Sequence, residues 1–322
     1  MDEVTTVAEL PYLLAYVALA VFVIAVIARA VMWARLPMHV RWELYPVAHE
    51  PPEKVEHGGS FMEDSEWWKK PRETSATGEL KVMIPEILFL VAVKEHNPTL
   101  WTRTFPFHFG LYLTIGATAL ALLAGVISAV APSALAGGAG ELVRWLVLVI
   151  GVAGFVLAII GALGLLHRRL SVRSLRSYSA PADFFNLVFF VVAFGCGLLT
   201  FFLVDPDASK AMAFASNLVS FELVAVPGNG MEALLPTASV VLLSLLVAYV
   251  PLTHMSHFVG KYFAYHAIRW NDEPNLAGGP QEAKIQALLS QKVSWAADHI
   301  KGEGKKTWVD VALENPAAEE QK

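Results

Sequence analysis

FHFGLYLTIGATALALLAGVISAVA, residues 107–131, contains no Asp, Glu, Lys or Arg and a single imidazole, His108, at its second position. Wound as an α-helix at 1.5 Å per residue, this run is long enough to cross the roughly 30 Å of hydrocarbon in a bilayer. Reading outward from it, four more apolar stretches reach that length: Leu13 to Trp33, Leu142 to Leu166, Phe184 to Val204, and Leu234 to Phe258. The whole chain agrees, with 322 residues of which 55% are hydrophobic and 16% charged. Its mean hydropathy of +0.50 is too high for an ordinary soluble domain. The fold class expected is an all-α membrane protein built as a five-transmembrane-helix bundle.

Basic residues orient the bundle. The loop after the first span carries Arg35, Arg41, Lys54, Lys69, Lys70, Arg72, Lys81, Lys94 and Arg103, and the loop after the third carries Arg168, Arg169, Arg173 and Arg176. Lys261, Arg269 and further lysines follow the fifth, whereas the opposite side has Lys210 and, at a helix mouth, Arg144. The positive-inside rule therefore puts the N-terminus outside and the C-terminus in the cytoplasm, with the protein multi-pass in the cell (inner) membrane. The first span follows acidic Asp2, Glu3 and Glu9 and reads as a retained helix, not a cleaved signal peptide. Organisation along the chain is then residues 1–34, the first transmembrane helix; 35–104, a cytoplasmic loop with an interfacial helix; 105–264, a four-helix membrane core; and 265–322, a cytoplasmic tail.

Net charge is only −5, and the basic residues are spent on topology, without a basic helix interleaved with stacking aromatics, so nucleic acid is excluded as a partner. A single cysteine, Cys196, cannot build a disulfide framework, a zinc site or an iron–sulfur cluster. Two soluble segments remain. Within residues 35–103, Lys81 to Asn97 places Val82, Ile84, Leu88, Val91 and Ala92 as an apolar stripe on an interfacial helix. In the tail, Gln281 to Ile300 spaces Ile285, Leu288, Leu289, Val293, Ala296 and Ile300 at helical intervals, to rest on the chain's own loop or on a partner subunit.

Ten histidines are present, and six read as solvated or interfacial: His39, His49, His57, His96, His299 and His266. The other four, His108, His167, His254 and His257, fall at the inner membrane edge. Titratable side chains inside spans are expensive to place and are functional candidates by default. His108 near the start of the second span and His257 near the end of the fifth, on helices of opposite direction, come to one depth. Two imidazoles so placed can clamp one haem iron. Gly110 and Gly260 would remove side-chain bulk where a flat macrocycle approaches a helix. His254 and His257, three residues apart, stand about 60° apart on a helix and cannot share one face of an iron. His254 could instead bind a haem propionate or a quinone oxygen, or pair with His167 for a second haem.

Phe107-His108-Phe109-Gly110, then His167-Arg168-Arg169-Leu170 through Ala182-Asp183-Phe184, then Gly195-Cys196-Gly197-Leu198-Leu199-Thr200, and finally Pro251 to His257, together resemble the gamma-subunit family of respiratory nitrate reductase. That family includes the cytochrome b subunits of heterodisulfide-reductase-like and sulfur-metabolism membrane complexes, and the likeness covers roughly Phe105 to Phe263. It implies a five-helix cytochrome b that exchanges electrons between a membrane quinone and a cytoplasmic iron–sulfur subunit. His108 and His257 fall on the family's ligand pair for the haem nearer the cytoplasm. At the positions of the family's outer ligands this chain has Thr118 and Ser239, so the resemblance predicts no outer haem.

The function expected is a membrane cytochrome b subunit with one haem b, to which His167 and His254 could add a second. Menaquinone or another quinone is its substrate, near Arg103, His254 and Lys261, which offer hydrogen bonds and positive charge. Beyond the iron–sulfur subunit and membrane lipid, the outer stretch Asp205 to Gly230 has room to dock an exported cytochrome c. Two other classes compete: a haem-free membrane anchor for a soluble enzyme, and a small proton-linked transporter. The latter would favour acidic residues deep in the spans, where none occurs.

Overall fold

A computed structural model describes residues 2–36, 48, 50, 52–56, 65–71, 75–224, 229–271, 273–296 and 302–314, with backbone alone for 2–8, 53 and 54. His39, Trp42, His49, His57, His299 and Ile300 lie outside these residues. Among the described residues the chain is helical, with one isolated antiparallel bridge, Lys292 to Thr307, and no strand. The α-helices are α1 (Asp2–Ala34), α2 (Pro52–Glu56), α3 (Ala76–Phe89), α4 (Val91–His96), α5 (Pro98–Val130), α6 (Gly138–Ser171) and α7 (Arg173–Tyr178). They continue as α8 (Pro181–Leu203), α9 (Ser209–Ser220), α10 (Met231–Leu252), α11 (His257–Phe263), α12 (Pro280–Leu289) and α13 (Trp308–Leu313). Five of them, α1, α5, α6, α8 and α10, are long and apolar enough to cross a membrane. The chain is a multi-pass membrane protein, with the five spans expected.

Two compact units make up the chain: Met1–Ala25 with Ile84–His254, and Val26–Met83 with Met255–Lys322. The first holds the bundle. Its central seam joins α5 to α6 through residues too small to keep the backbones apart. A Cβ on Gly110 would lie 2.4 Å from the Ala158 nitrogen, and one on Gly161 would lie 2.3 Å from the Phe107 nitrogen. In a bilayer, where helices gain little from apolar burial against each other, such close backbone approach supplies the packing. Gly197 of α8 makes room in the same way for the ring of Phe155, which stacks on Phe194 at 5.1 Å. Between α8 and α10, Tyr249 donates to Asn186 Oδ1 at 2.8 Å, and the Thr200 and Ser239 hydroxyls meet at 2.6 Å.

Helix α9, in a segment read from sequence as a loop, lies along α5, where Ala215 packs with Ala121 and Val147. It also receives α1: Tyr12 stacks on Phe214 at 4.5 Å, and Tyr16 donates to the Leu218 carbonyl at 2.7 Å. Prolines start α5 and α8 at their first turns, where a missing N–H costs nothing. Asn97 caps α5 by accepting from the Leu100 N–H at 3.0 Å.

The second unit gathers Tyr265 and Trp270 with Ala48 and Met83. His266 is held within it, 3.5 Å from Glu79.

Three expectations about elements change. The fifth span does not run to Phe258: α10 ends at Leu252, Thr253 is extended, and a short 3-10 turn His254–Ser256 precedes a new helix at His257. Pro251 removes a backbone donor in the last turn, which loosens the helix there. The tail helix ends at Leu289, because the chain turns to bridge Lys292 with Thr307 and bury Val293 to 2% exposure. The interfacial helix is two helices, broken at Leu90 in the left-handed conformation (φ 52°).

Candidate functional site

His108 is half-buried on α5, and its surroundings are fixed from three helices. Its Nδ1 lies 2.8 Å from the carbonyl of Thr104, one turn earlier, and 3.2 Å from that residue's hydroxyl. The preceding Phe107 is pressed against Gly161 of α6 and meets Phe190 of α8 edge-on at 5.0 Å. An imidazole whose Nδ1 is held by a carbonyl presents Nε2 in the unprotonated form, the tautomer a metal ligand needs. Thr104 was missed in the sequence, although its spacing of four from His108 on a helix was a usable signal.

Arg103 donates to the Thr99 carbonyl, and Gly164 of α6 accommodates its side-chain stem, which a Cβ there would approach to 3.2 Å. At the same end of the bundle, His254 faces Asp183 of α8, with Nε2 3.7 Å from the carboxylate. Arg169 of α6 stands 3.4 Å from the other carboxylate oxygen and donates to Ser179 at 2.8 Å, while the Ala180 N–H donates to Asp183 at 2.9 Å. The partner given to His254 is thus an acid. His167 is exposed, with Nε2 3.3 Å from the Ser171 hydroxyl. In the sequence Asp183 stands only beside the start of a span and Arg169 in a basic loop; that they converge depends on three helix ends meeting.

In the second unit, His257 is the exposed first residue of α11. Since it follows the 3-10 turn, the angular argument that set it on one helix with His254 does not hold. Lys261, one turn on, has its ammonium 5.8 Å from the Tyr265 ring centre. Gly260 abuts the Trp33 ring, to which a Cβ would come within 2.8 Å, and Gly110 abuts α6. Both glycines therefore serve protein packing, not the approach of a macrocycle. Thr118 donates to the Thr114 carbonyl at 2.9 Å, and buried Ser239 bonds Thr200 and donates to Cys196 Sγ at 3.4 Å, so both hydroxyls serve the helices.

Residues 95–271, more than half of the chain, match the nitrate reductase gamma subunit family. The chain belongs to that family. The matched region begins one residue before the last of α4 and takes in α5 through the π-helical turn Ala264–Arg269, so all six candidate residues of this gamma-family protein lie inside it. The chain is also similar to an Hdr-like menaquinol oxidoreductase cytochrome b-like subunit of Archaeoglobus profundus, 29% identical over 112 residues. That stretch is 34% of this chain and 32% of the relative, so the likeness spans about a third of the curated relative's length.

Proposed function

We propose that this gamma-family protein is a membrane cytochrome b subunit of a redox complex in the inner membrane, passing electrons between the quinone pool and a cytoplasmic iron–sulfur subunit. The family match over residues 95–271, enclosing an oriented His108 at the start of a span, is the observation that carries the reading. The printed name of the Archaeoglobus relative supports menaquinol as the quinone. His108 and His257 would hold the haem. The chemistry of the donor fits at His108, whose Nδ1 is engaged by a carbonyl as in most metal-bound imidazoles. A haem held by two imidazoles supplies one-electron transfer.

What the chain's own residues do is orient, neutralise and move protons. Thr104 fixes the His108 ring. Arg103, anchored to Thr99 and laid on Gly164, brings positive charge to the inner edge, where propionates or a quinone oxygen need it. Quinol oxidation releases protons at the membrane edge, and His254 is suited to take one because its ring nitrogen can accept a proton and a carboxylate stands within ion-pair reach. Having Asp183 as its neighbour favours this role for His254 over ligation of a second haem with His167.

A reduced-minus-oxidised optical spectrum of the purified protein, with a haem-to-polypeptide ratio, tests the reading. A ratio near one supports the His108 and His257 site; two restores His167 and His254 as ligands; zero overturns the redox role in favour of a haem-free anchor. His108→Ala is expected to abolish the absorbance while the helices remain inserted, and full haem retention removes the ligand assignment.

A further inference from the structure

The break between α3 and α4 is capped in a way that water-exposed breaks do not need. The break interrupts helical pairing for the carbonyls of residues 87–89 and the N–H groups of residues 91–93, and side chains of this chain meet three of these six groups. The Ile87 carbonyl accepts from the Tyr112 hydroxyl at 2.8 Å and the Phe89 carbonyl from Trp101 Nε1 at 2.7 Å, both donors standing on α5. The Ala92 N–H donates to the Glu86 carboxylate at 2.8 Å, and the Leu90 carbonyl accepts from the Lys94 N–H at 2.9 Å. At an aqueous surface such groups bond water; in hydrocarbon an unsatisfied one has no such partner and is strongly disfavoured.

Around this capped break the side chains are apolar and outward. Ile84 and Phe89 are each 49% exposed, and Ile87 and Leu88 also face out, while Glu86, the charge among residues 82–93, is turned in to 8% exposure. The caps fix the depth. Tyr112 lies on the membrane-spanning helix α5, and Trp101, with Lys94 5.5 Å from its ring centre, lies a few turns earlier at its polar end. The exposed apolar face is thus tied to a membrane-spanning helix. Residues 84–93 would reach only about 15 Å as a helix, half of a bilayer's hydrocarbon.

We propose that Ile84–Val93 is a re-entrant element sunk into one lipid leaflet beside α5, with acyl chains covering Ile84, Ile87, Leu88 and Phe89. This inference is independent of the haem assignment. Single cysteines at positions 84, 88 and 95 in a Cys196→Ala background carry nitroxide labels, in the full chain reconstituted in phospholipid vesicles and in the complex as isolated from membranes. Collision with oxygen, which concentrates in lipid, is expected to exceed collision with a water-soluble nickel chelate at 84 and 88, and the order is expected to reverse at 95. Equal nickel access at 84, 88 and 95 overturns the proposal in favour of a surface helix. Loss of both collisions at 84 and 88 in the isolated complex overturns it in favour of a protein partner. Trp101→Phe, which deletes one cap and keeps the ring, is expected to raise label mobility at 88; unchanged mobility counts against the proposed role of the caps.

Discussion

Gly161 has no room for even a methyl group. Its Cβ would fall 2.3 Å from the Phe107 nitrogen and 2.6 Å from the Phe107 Cα, so backbone must move to admit it. Gly110 is as tight against Ala158, whereas nothing stands within 4 Å of the Cβ direction at Gly116 on the same helix. Ordinarily Gly→Ala in a helix is favourable by about 0.5–1 kcal/mol. Overpacking costs about 1–3 kcal/mol or more, and here it opposes that gain. Gly161→Ala and Gly110→Ala are therefore expected to lower the thermal midpoint in detergent, and Gly116→Ala to leave it level or raise it; equal effects at all three would refute the close seam. Because Phe107 precedes His108, the Gly161 change is also expected to disturb the imidazole's bond to Thr104 and lower haem content. The sequence could show that Gly110 and Gly161 were small; which surface each touched required the partner helix.

Helix α9 shows what a single element adds. Asp205, buried to 2%, accepts the Lys210 and Ala211 N–H groups, both at 2.9 Å, and Asp207 accepts from Ser209 and pairs with Arg144 of α6. Anions at a helix start meet the unsatisfied N–H groups and the positive end of the dipole. Bonding to the Ser209 side chain above all, helped by its backbone N–H and by Arg144, holds the Asp207 carboxyl below the usual aspartate range against the opposing effect of burial. A depressed carboxyl stabilises the fold above its unfolded value, and that contribution disappears as pH falls from about 4 through the lower folded value. Thermal midpoints followed downward from pH 6 are expected to converge for the wild type and Asp207→Asn only below about pH 4. Since the Asp207 side chain is 40% exposed to solvent, the separation at pH 6 should be small, on the order of 0.2–1 kcal/mol; a gap that widens on acidification would contradict it.

The signal for α9 is present in Asp205-Pro206-Asp207-Ala208-Ser209, an acidic, Ser-containing start before an amphipathic run, but at 12 residues the helix is too short to register as a span. Two other boundaries were less legible. Apolar spacing continues past Leu252 through Met255 and Phe258, which hides the break before His254. Lys292 finds its bridge partner 15 residues downstream, a pairing no local pattern contains.

For the whole molecule, the five spans were readable because each is a local property of composition, whereas placing the ends on opposite sides of the membrane rests on charge alone. Arg168, Arg169, Arg173 and Arg176 crowd the connection from α6 to α8, while the connection from α8 to α10 has Lys210 as its basic residue. Retaining four arginines on the cytoplasmic side is favoured during insertion, and an odd number of spans then sends the N-terminus outward. Impermeant thiol reagent applied to intact cells reads this directly in the Cys196→Ala background. Glu222→Cys, exposed beyond α9, is expected to react before lysis, and Ser174→Cys, exposed among the arginines of α7, only after it. The reverse order would invert the bundle. His108, His254 and the re-entrant segment would then face the outside, and a cytoplasmic iron–sulfur partner would no longer be within reach of them.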